Sequence, residues 1–283
     1  MKKFTLSATI AASLALFAGS ASAQVNLDAV LSIDGTAITT RAPAPDFLDI
    51  DEVISGWVYR AKETQATQMD DFENPAMLFV DQAMDDWNRV DGSEGKSCAS
   101  CHTNGPEEFA GLRAELPRWD ADRGQMMNME DYINYNRVTY MGAEPLKWAK
   151  PRMDAMVALI SLQSRGMPIN VAIDGPVADI WAQGEEIYYT RVGQLDMACA
   201  NCHEDNFGNM IRADRLSQGQ INGFPTYRLK NAKLNSVQAR FKGCMKNIRA
   251  EPYAVGSDEF RALELYVASR GNGLSVEGPS VRN

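Results

Sequence analysis

The sequence predicts a mainly α-helical chain built as two tandem copies of one small domain, preceded by an extension. Three observations predict this. The pentapeptide C-x-x-C-H occurs twice, at 98–102 and 199–203. Apolar residues recur at helical spacing before and after each copy. The tripeptides Ala-Glu-Pro and Ser-Arg-Gly then follow each copy in the same order.

The chain opens MKKFTLSATIAASLALFAGSASAQ. Two lysines, an Ala/Leu-rich run and Ala21-Ser22-Ala23 make a cleavable export signal over residues 1–23, so the mature chain is expected to begin at Gln24. Cleavage takes two of the 28 basic residues and none of the 37 acidic ones, moving the formal charge from −9 to −11. Such a body has no general affinity for nucleic acid or anionic lipid. No later stretch approaches the length of a membrane span. Export also implies an oxidising compartment, the periplasm, where unprotected thiols tend to pair.

Residues 24–70 have no counterpart in the second copy and read as an extension packed on the first domain. Asn74-Pro75 can start a helix, with Met77, Val80, Met84 and Trp87 on its inner face. In the second copy Gly175-Pro176 starts one with Val177, Ile180, Trp181, Gly184, Ile187 and Tyr188. Trp87 and Tyr188 each stand eleven residues before the first cysteine of a pentapeptide, where an aromatic ring would pack near it. Ala-Glu-Pro at 143–145 precedes a helix from Pro151 with Met153, Met156, Val157 and Ile160 inside. Ala-Glu-Pro at 250–252 precedes one capped by Ser257 with Phe260, Leu263 and Val267 inside. Ser-Arg-Gly at 164–166 and 269–271 places a glycine to end each helix. The expected division is 24–170 for extension plus first domain and 171–283 for the second domain, joined near Gly166–Gly175.

C-x-x-C-H is the attachment signature of c-type haem. Two thiols three apart add to the vinyl groups of one porphyrin, and the adjacent histidine becomes the proximal iron ligand. The readings that compete are half of a zinc site and a redox dithiol. Every histidine of the chain, however, completes such a pentapeptide, and four of its five cysteines are used in doing so. Two covalent haem c groups are therefore expected, on Cys98, Cys101 and His102 and on Cys199, Cys202 and His203. Helix, pentapeptide, loop and closing helix is the layout of a small cytochrome c domain.

Cys244 remains, without a thiol partner. No histidine is left for bis-histidine ligation. Cys244 stands 41 residues after His203, a suitable distance for the distal ligand of the second haem. Met245 is a rival, and a buried inert cysteine is the plain alternative. A thiolate ligand would lower the haem potential. From Arg228 to Arg249 there are seven basic residues and no acidic one, a local positive field able to gather anions. Arg240 precedes Cys244 by four residues, one helical turn, and a guanidinium suits an oxyanion.

R-x-x-x-C followed by A-E-P and S-R-G, after two C-x-x-C-H copies and an export signal, closely resembles the dihaem SoxA subunits of L-cysteine S-thiosulfotransferases. The resemblance implies a periplasmic enzyme that joins thiosulfate oxidatively to a cysteine of a carrier protein, SoxY of SoxYZ. It implies a heterodimer with a monohaem cytochrome, SoxX, and a cytochrome c acceptor for the electrons. It implies that Cys244 is the haem-ligating cysteine found as a persulfide and that Arg240 binds substrate. One departure stands out. Relatives place a cysteine, in I-N-x-C-R, as distal ligand of the first haem, and here Ile133-Asn134-Tyr135-Asn136-Arg137 has Asn136 in that place. Met141 is the substitute that spacing suggests, with Met126, Met127 and Met129 also within range and an open or water-bound iron as the alternative. Rival functions are a thiosulfate dehydrogenase forming tetrathionate, a non-catalytic dihaem electron carrier and a dihaem peroxidase. The last wants further histidines.

Overall fold

The computed structural model describes residues 29–283; the expected export signal lies outside them. Two hairpin-like ribbons come first, β1 (Leu31–Ile33) with β2 (Thr36–Ile38) and β3 (Arg41–Pro43) with β4 (Glu52–Ile54). A short helix, α1 (Lys62–Met69), completes the extension.

The first repeat contains α2 (Met77–Asn88), α3 (Cys98–Cys101), α4 (Leu112–Glu115), the ribbon of β5 (Arg118–Asp120) and β6 (Gln125–Met127), α5 (Met129–Met141) and α6 (Pro151–Leu162). Asn74 sets up α2: its carbonyl accepts from Met77 N at 3.0 Å and its side chain from Ala76 N at 3.0 Å. The buried face of α2 is Val80, Ala83 and Trp87; Met84, expected inside, is 37% exposed. An i, i+3, i+7 stripe passes through Ala83, and a small side chain there lets α2 lie close along α6. Asn128 caps α5 in a capping box with Asp131. In α6 every residue from Met153 to Ser161 is buried.

The second repeat contains α7 (Ala178–Tyr189), α8 (Cys199–His203), β7 (Met210–Ile211) with β8 (Asp214–Arg215), β9 (Thr226–Arg228), β10 (Lys233–Asn235), α9 (Val237–Asn247), α10 (Asp258–Ser269) and β11 (Ser280–Arg282). Ser257 caps α10 through Phe260 N, and Phe260, Leu263 and Val267 are buried, as the pattern predicts. Gly184 sits where α7 crosses α10. A Cβ there would run into the Ala262 carbonyl and come within 2.9 Å of Tyr266 Cβ. Of the two terminating glycines, Gly166 adopts φ +81°, but Gly271 does not turn left-handed. Gly273 does so in its place, at φ +89°, two residues after the expected stop.

The extension was expected against the first domain. Just past it, Asp71 pairs with Arg165 of the first repeat at 2.6 Å, but most of the extension's own polar contacts lie in the second. Ile54 N donates to Gln218 at 2.7 Å, Thr39 N to Ser275 at 3.0 Å, and Val281 N to Gln68 at 3.1 Å. Glu277, fully buried, accepts from Ser55, from Gln68 at 3.0 Å, from Asn222 at 3.1 Å and from Arg282 at 2.7 Å. Phe47 packs edge-on against Trp181 at 5.1 Å. The physical reason is that β11 runs parallel to β9 in a three-stranded sheet with β10, giving the second repeat a polar edge that the first lacks. Among the described residues no helix is long and apolar enough to cross a membrane.

Candidate functional site

Each pentapeptide forms one helical turn, which brings its two thiols to the same side. Ser97 and Ser100 cap the first turn, Ser97 N donating to Ser100 Oγ at 2.9 Å; in the second, Ala198 N donates to Asn201 Oδ1 at 2.9 Å. All five cysteines are free and at least partly exposed. Each histidine has one ring nitrogen tied. His102 Nδ1 lies 3.0 Å from Glu108 Oε2, and His203 Nδ1 lies 2.7 Å from the Ser217 carbonyl. A carbonyl only accepts, so His203 Nδ1 carries a proton, which fixes the ring and leaves Nε2 as the nitrogen available to a metal. Gly219, at φ +87°, lies flush on that ring; a Cβ would come 2.9 Å from His203 Cγ. Two free thiols beside an oriented imidazole, present twice, fit covalent haem c.

The aromatic residues eleven positions upstream diverge. Trp87 packs on His102 at 5.6 Å, with Phe109 at 4.8 Å from the same imidazole. Tyr188 lies instead under the Arg270 guanidinium at 4.4 Å and beside Tyr266 at 5.1 Å.

Helix α9 carries Arg240 and Cys244 one turn apart, the geometry expected of them. The His203 side chain lies close enough to the Cys244 sulfur to act on its ionisation, so the imidazole and the thiol are neighbours. Burial pushes the Cys244 thiol up, but the charge of Arg240, the contact with His203 and the charge of Arg228 outweigh it and bring the thiol down to about 7. The haem-attachment thiols beside it go the other way. Burial and the neighbouring Cys244 push Cys199 up to about 12 and raise Cys202 as well. Cys244 is therefore the thiol of this region that ionises most easily. Among the described residues the Arg240 guanidinium has no hydrogen bond or ion pair of its own. The basic run divides: Lys230, Lys233, Lys246 and Arg249 are exposed, while Arg228, Arg240 and Lys242 are half-buried. Ser217 and Gly219, which orient His203, carry no motif that a single sequence reveals.

The two repeats can be matched through one shared loop. Glu94 N and Ser93 N donate to the carbonyls of Met141 and Gly142; Leu195 N and Gln194 N donate likewise to Ile248 and Arg249. Met141 thus corresponds to Ile248, at the end of its helix, and is buried there. Behind this point the helices differ by one residue. Ala250 N donates to the Met245 carbonyl, whereas its counterpart Ala143 N donates to that of Arg137, through a last turn one residue wider. Arg137 consequently stands where Met245 does, and Asn136 where Cys244 does. Asn136 Nδ2 donates to the Tyr132 carbonyl at 2.8 Å. Met126 and Met129 are built into different apolar clusters, one in each repeat.

A family model for the SoxA/TsdA cytochrome c domain matches residues 82–169 and 183–276. The L-cysteine S-thiosulfotransferase subunit SoxA of Paracoccus pantotrophus is 55% identical over 285 residues, covering 99% of this chain and 98% of its own. The subunit of the same name from Rhodovulum sulfidophilum is 58% identical over 248 residues, 87% of this chain and 86% of its own. In the crystal structure of SoxXA from P. pantotrophus, one chain matches with a TM-score of 0.87 and 57% identity over 90% of this chain and 97% of that one.

Proposed function

Since this chain belongs to the SoxA/TsdA cytochrome c family, we propose that it is the SoxA-type subunit of a periplasmic L-cysteine S-thiosulfotransferase. The observation that carries the reading is Cys244, easily ionised, with Arg240 one turn away and His203 beside it. Relatives named for the transferase cover nearly the whole chain, which sets this reading above a thiosulfate dehydrogenase.

Two haem c groups would be held, one by Cys98, Cys101 and His102 and one by Cys199, Cys202 and His203, with Cys244 as the second distal ligand. Residues 24–170 would be extension plus first domain and 171–283 the second. When bound, haem c supplies one-electron acceptance. The chain's own residues do the rest. Arg240 holds the sulfonate of thiosulfate by charge-assisted hydrogen bonds. The sulfane sulfur joins the Cys244 sulfur, forming one S–S bond with loss of two electrons, which leave singly towards a cytochrome c acceptor. The thiol of a SoxYZ-like carrier gives up its proton and attacks the sulfane sulfur, and Cys244 is released as thiolate. The net change is carrier thiol plus thiosulfate to carrier S-thiosulfonate, one proton and two electrons. A persulfide on Cys244 lengthens the route by one sulfur and leaves this count unchanged. A SoxX-like monohaem cytochrome is the proposed partner, in keeping with the SoxXA structural match.

For the first haem, Met141 is the distal ligand inferred from spacing, against the correspondence with Ile248 described above. The test of the whole reading is to incubate the holo complex with thiosulfate, an oxidised cytochrome and the carrier. A carrier mass increase matching one thiosulfate, together with acceptor reduction that requires the carrier, is expected. Reduction without the carrier would overturn it.

A further inference from the structure

A cavity of about 20 Å³ lies where the two repeats meet. Arg113, Glu130 and Val157 line it from the first repeat, and Ser236, Val237 and Glu264 from the second. Three of these side chains can carry charge. Glu130 is 5% exposed, and Arg113 and Glu264 are 6% exposed, so none of them has bulk water to turn to.

Arg113 straddles the junction. It donates to the Leu116 carbonyl in its own repeat and to the Ile221 carbonyl in the other, both at 3.2 Å. Glu264 Oε2 accepts from Asn128 across the junction at 3.0 Å and from Gln238 at 2.8 Å. Glu264 Oε1 has no hydrogen bond among the described residues. Glu130 stands in the first turn of α5. Its carboxyl has no hydrogen bond to any other described residue, and its own backbone amide is the donor it has.

One guanidinium balances one carboxylate. Burial raises both carboxyls. At Glu264 the amides of Gln238 and Asn128 and the charge of Arg113 counter it. At Glu130 the charge of Glu264 adds to it and outweighs that of Arg113. Asp154 of α6 acts on Glu130, and Asp131 of α5 on Glu264, in the same upward sense. Glu264 is therefore the ion of the pair and Glu130 the neutral acid.

We infer that the cavity is a binding site for one water molecule, which completes the hydrogen bonding of Glu130, Glu264 and Arg113 and so locks the first repeat to the second. The volume exceeds the roughly 10–15 Å³ that a single water needs and is too small for two. Such a water takes a hydrogen bond from an Arg113 N–H, takes another from the Glu130 acid, and gives one to Glu264 Oε1. Three is the usual number for a buried water. Leaving an acid and a carboxylate oxygen unpaired among apolar side chains costs more than ordering one water.

A crystal structure of the holo complex that resolves waters, with hydrogen exchange on two variants, tests this. One density peak is expected in the cavity, about 2.6–3.2 Å from Glu130, Glu264 and Arg113 alike. A cavity without density, direct contact between the two carboxyls, or a peak at metal-ligand distances would overturn the site. Glu130→Gln keeps the shape and a donor. It should keep the water, and amide exchange over 112–117 and 221–237 should stay within about twofold. Glu130→Leu has no donor, and the same amides should exchange at least about fivefold faster. Unchanged exchange in the Leu variant would overturn the lock. Should that variant fail to assemble, Glu130→Gln decides alone, and loss of the water or faster exchange in it would sink the inference.

Discussion

The two repeats share a scaffold and differ where chemistry happens. Each has a helix entering the C-x-x-C-H turn, a histidine tied through Nδ1, a loop that hydrogen-bonds the end of a second helix, and a buried closing helix. Within that frame three matched positions have diverged: Asn136 against Cys244, Ala83 against Gly184, and Asp154 against Glu259. The difference teaches that duplication preserved the C-x-x-C-H turn and its oriented histidine in both halves. The easily ionised sulfur with a free arginine beside it belongs to the second half alone.

The largest expected effect removes that asymmetry at its source. Cys244→Ala should lower thiosulfate conjugation at least about a thousandfold, equivalent to roughly 4 kcal/mol of barrier. Intact mass should show the same number of attached haems as before. Substantial conjugation by the variant would mean the halves are functionally alike.

Next comes the buried carboxyl of the first repeat. Burial pushes Asp154 up to about 7, and its Oδ1 has no hydrogen-bond partner. An unfolded aspartate titrates near 4. Between those values the folded chain holds a proton that the unfolded chain has released, so stability falls as pH rises through that window and levels off above it. Asp154→Asn should leave stability unchanged near pH 4 and raise it by up to about 4 kcal/mol near pH 8. Urea melts at the two pH values measure this, and an equal effect at both would refute it. Glu259, the counterpart, is held below its usual range by its own backbone amide and by Ser257, so Glu259→Gln should show no such alkaline gain.

The third effect is one of packing. Gly184→Ala forces a methyl against the Ala262 backbone and should cost about 1–3 kcal/mol. The first repeat already carries alanine at the matching Ala83, so its helices must stand further apart there. Thermal unfolding of the variant checks the cost, and a neutral result would show that α7 and α10 can separate freely.

The smallest effect on turnover is expected from restoring symmetry. Asn136→Cys places a thiol where the helix correspondence puts the equivalent of Cys244. Low-temperature electron paramagnetic resonance should then show a second thiolate-ligated haem, while conjugation changes by less than about twofold. A spectrum identical to that of the unaltered protein would break the correspondence between the two helices.

Much of this was legible in the sequence because haem attachment needs fixed spacings and helices repeat apolar residues with a fixed period. Each C-x-x-C-H could be placed on a single turn by motif, and Arg240 and Cys244 fell on one helix face by counting four. The inner face of α2 was misread at Met84 because an apolar residue of the right period need not be the one that packs when alanine allows closer approach. The docking of the extension was not legible. It depends on side-chain amides such as Gln68 and Gln218 and on the buried Glu277, residues that polarity alone would send to the surface.

The extension's partnership with the second repeat governs the timing of assembly. Ile54, Ser55 and Gln68 find their partners at Gln218, Glu277 and Val281, contacts that span most of the chain, and such distant closures come late in folding. Gln218 adjoins Ser217, whose carbonyl orients His203. His203 is therefore tied, through Ser217 and its neighbour Gln218, to the docking of Ile54 of the extension. Haem attached before that docking would meet an imidazole still free to turn.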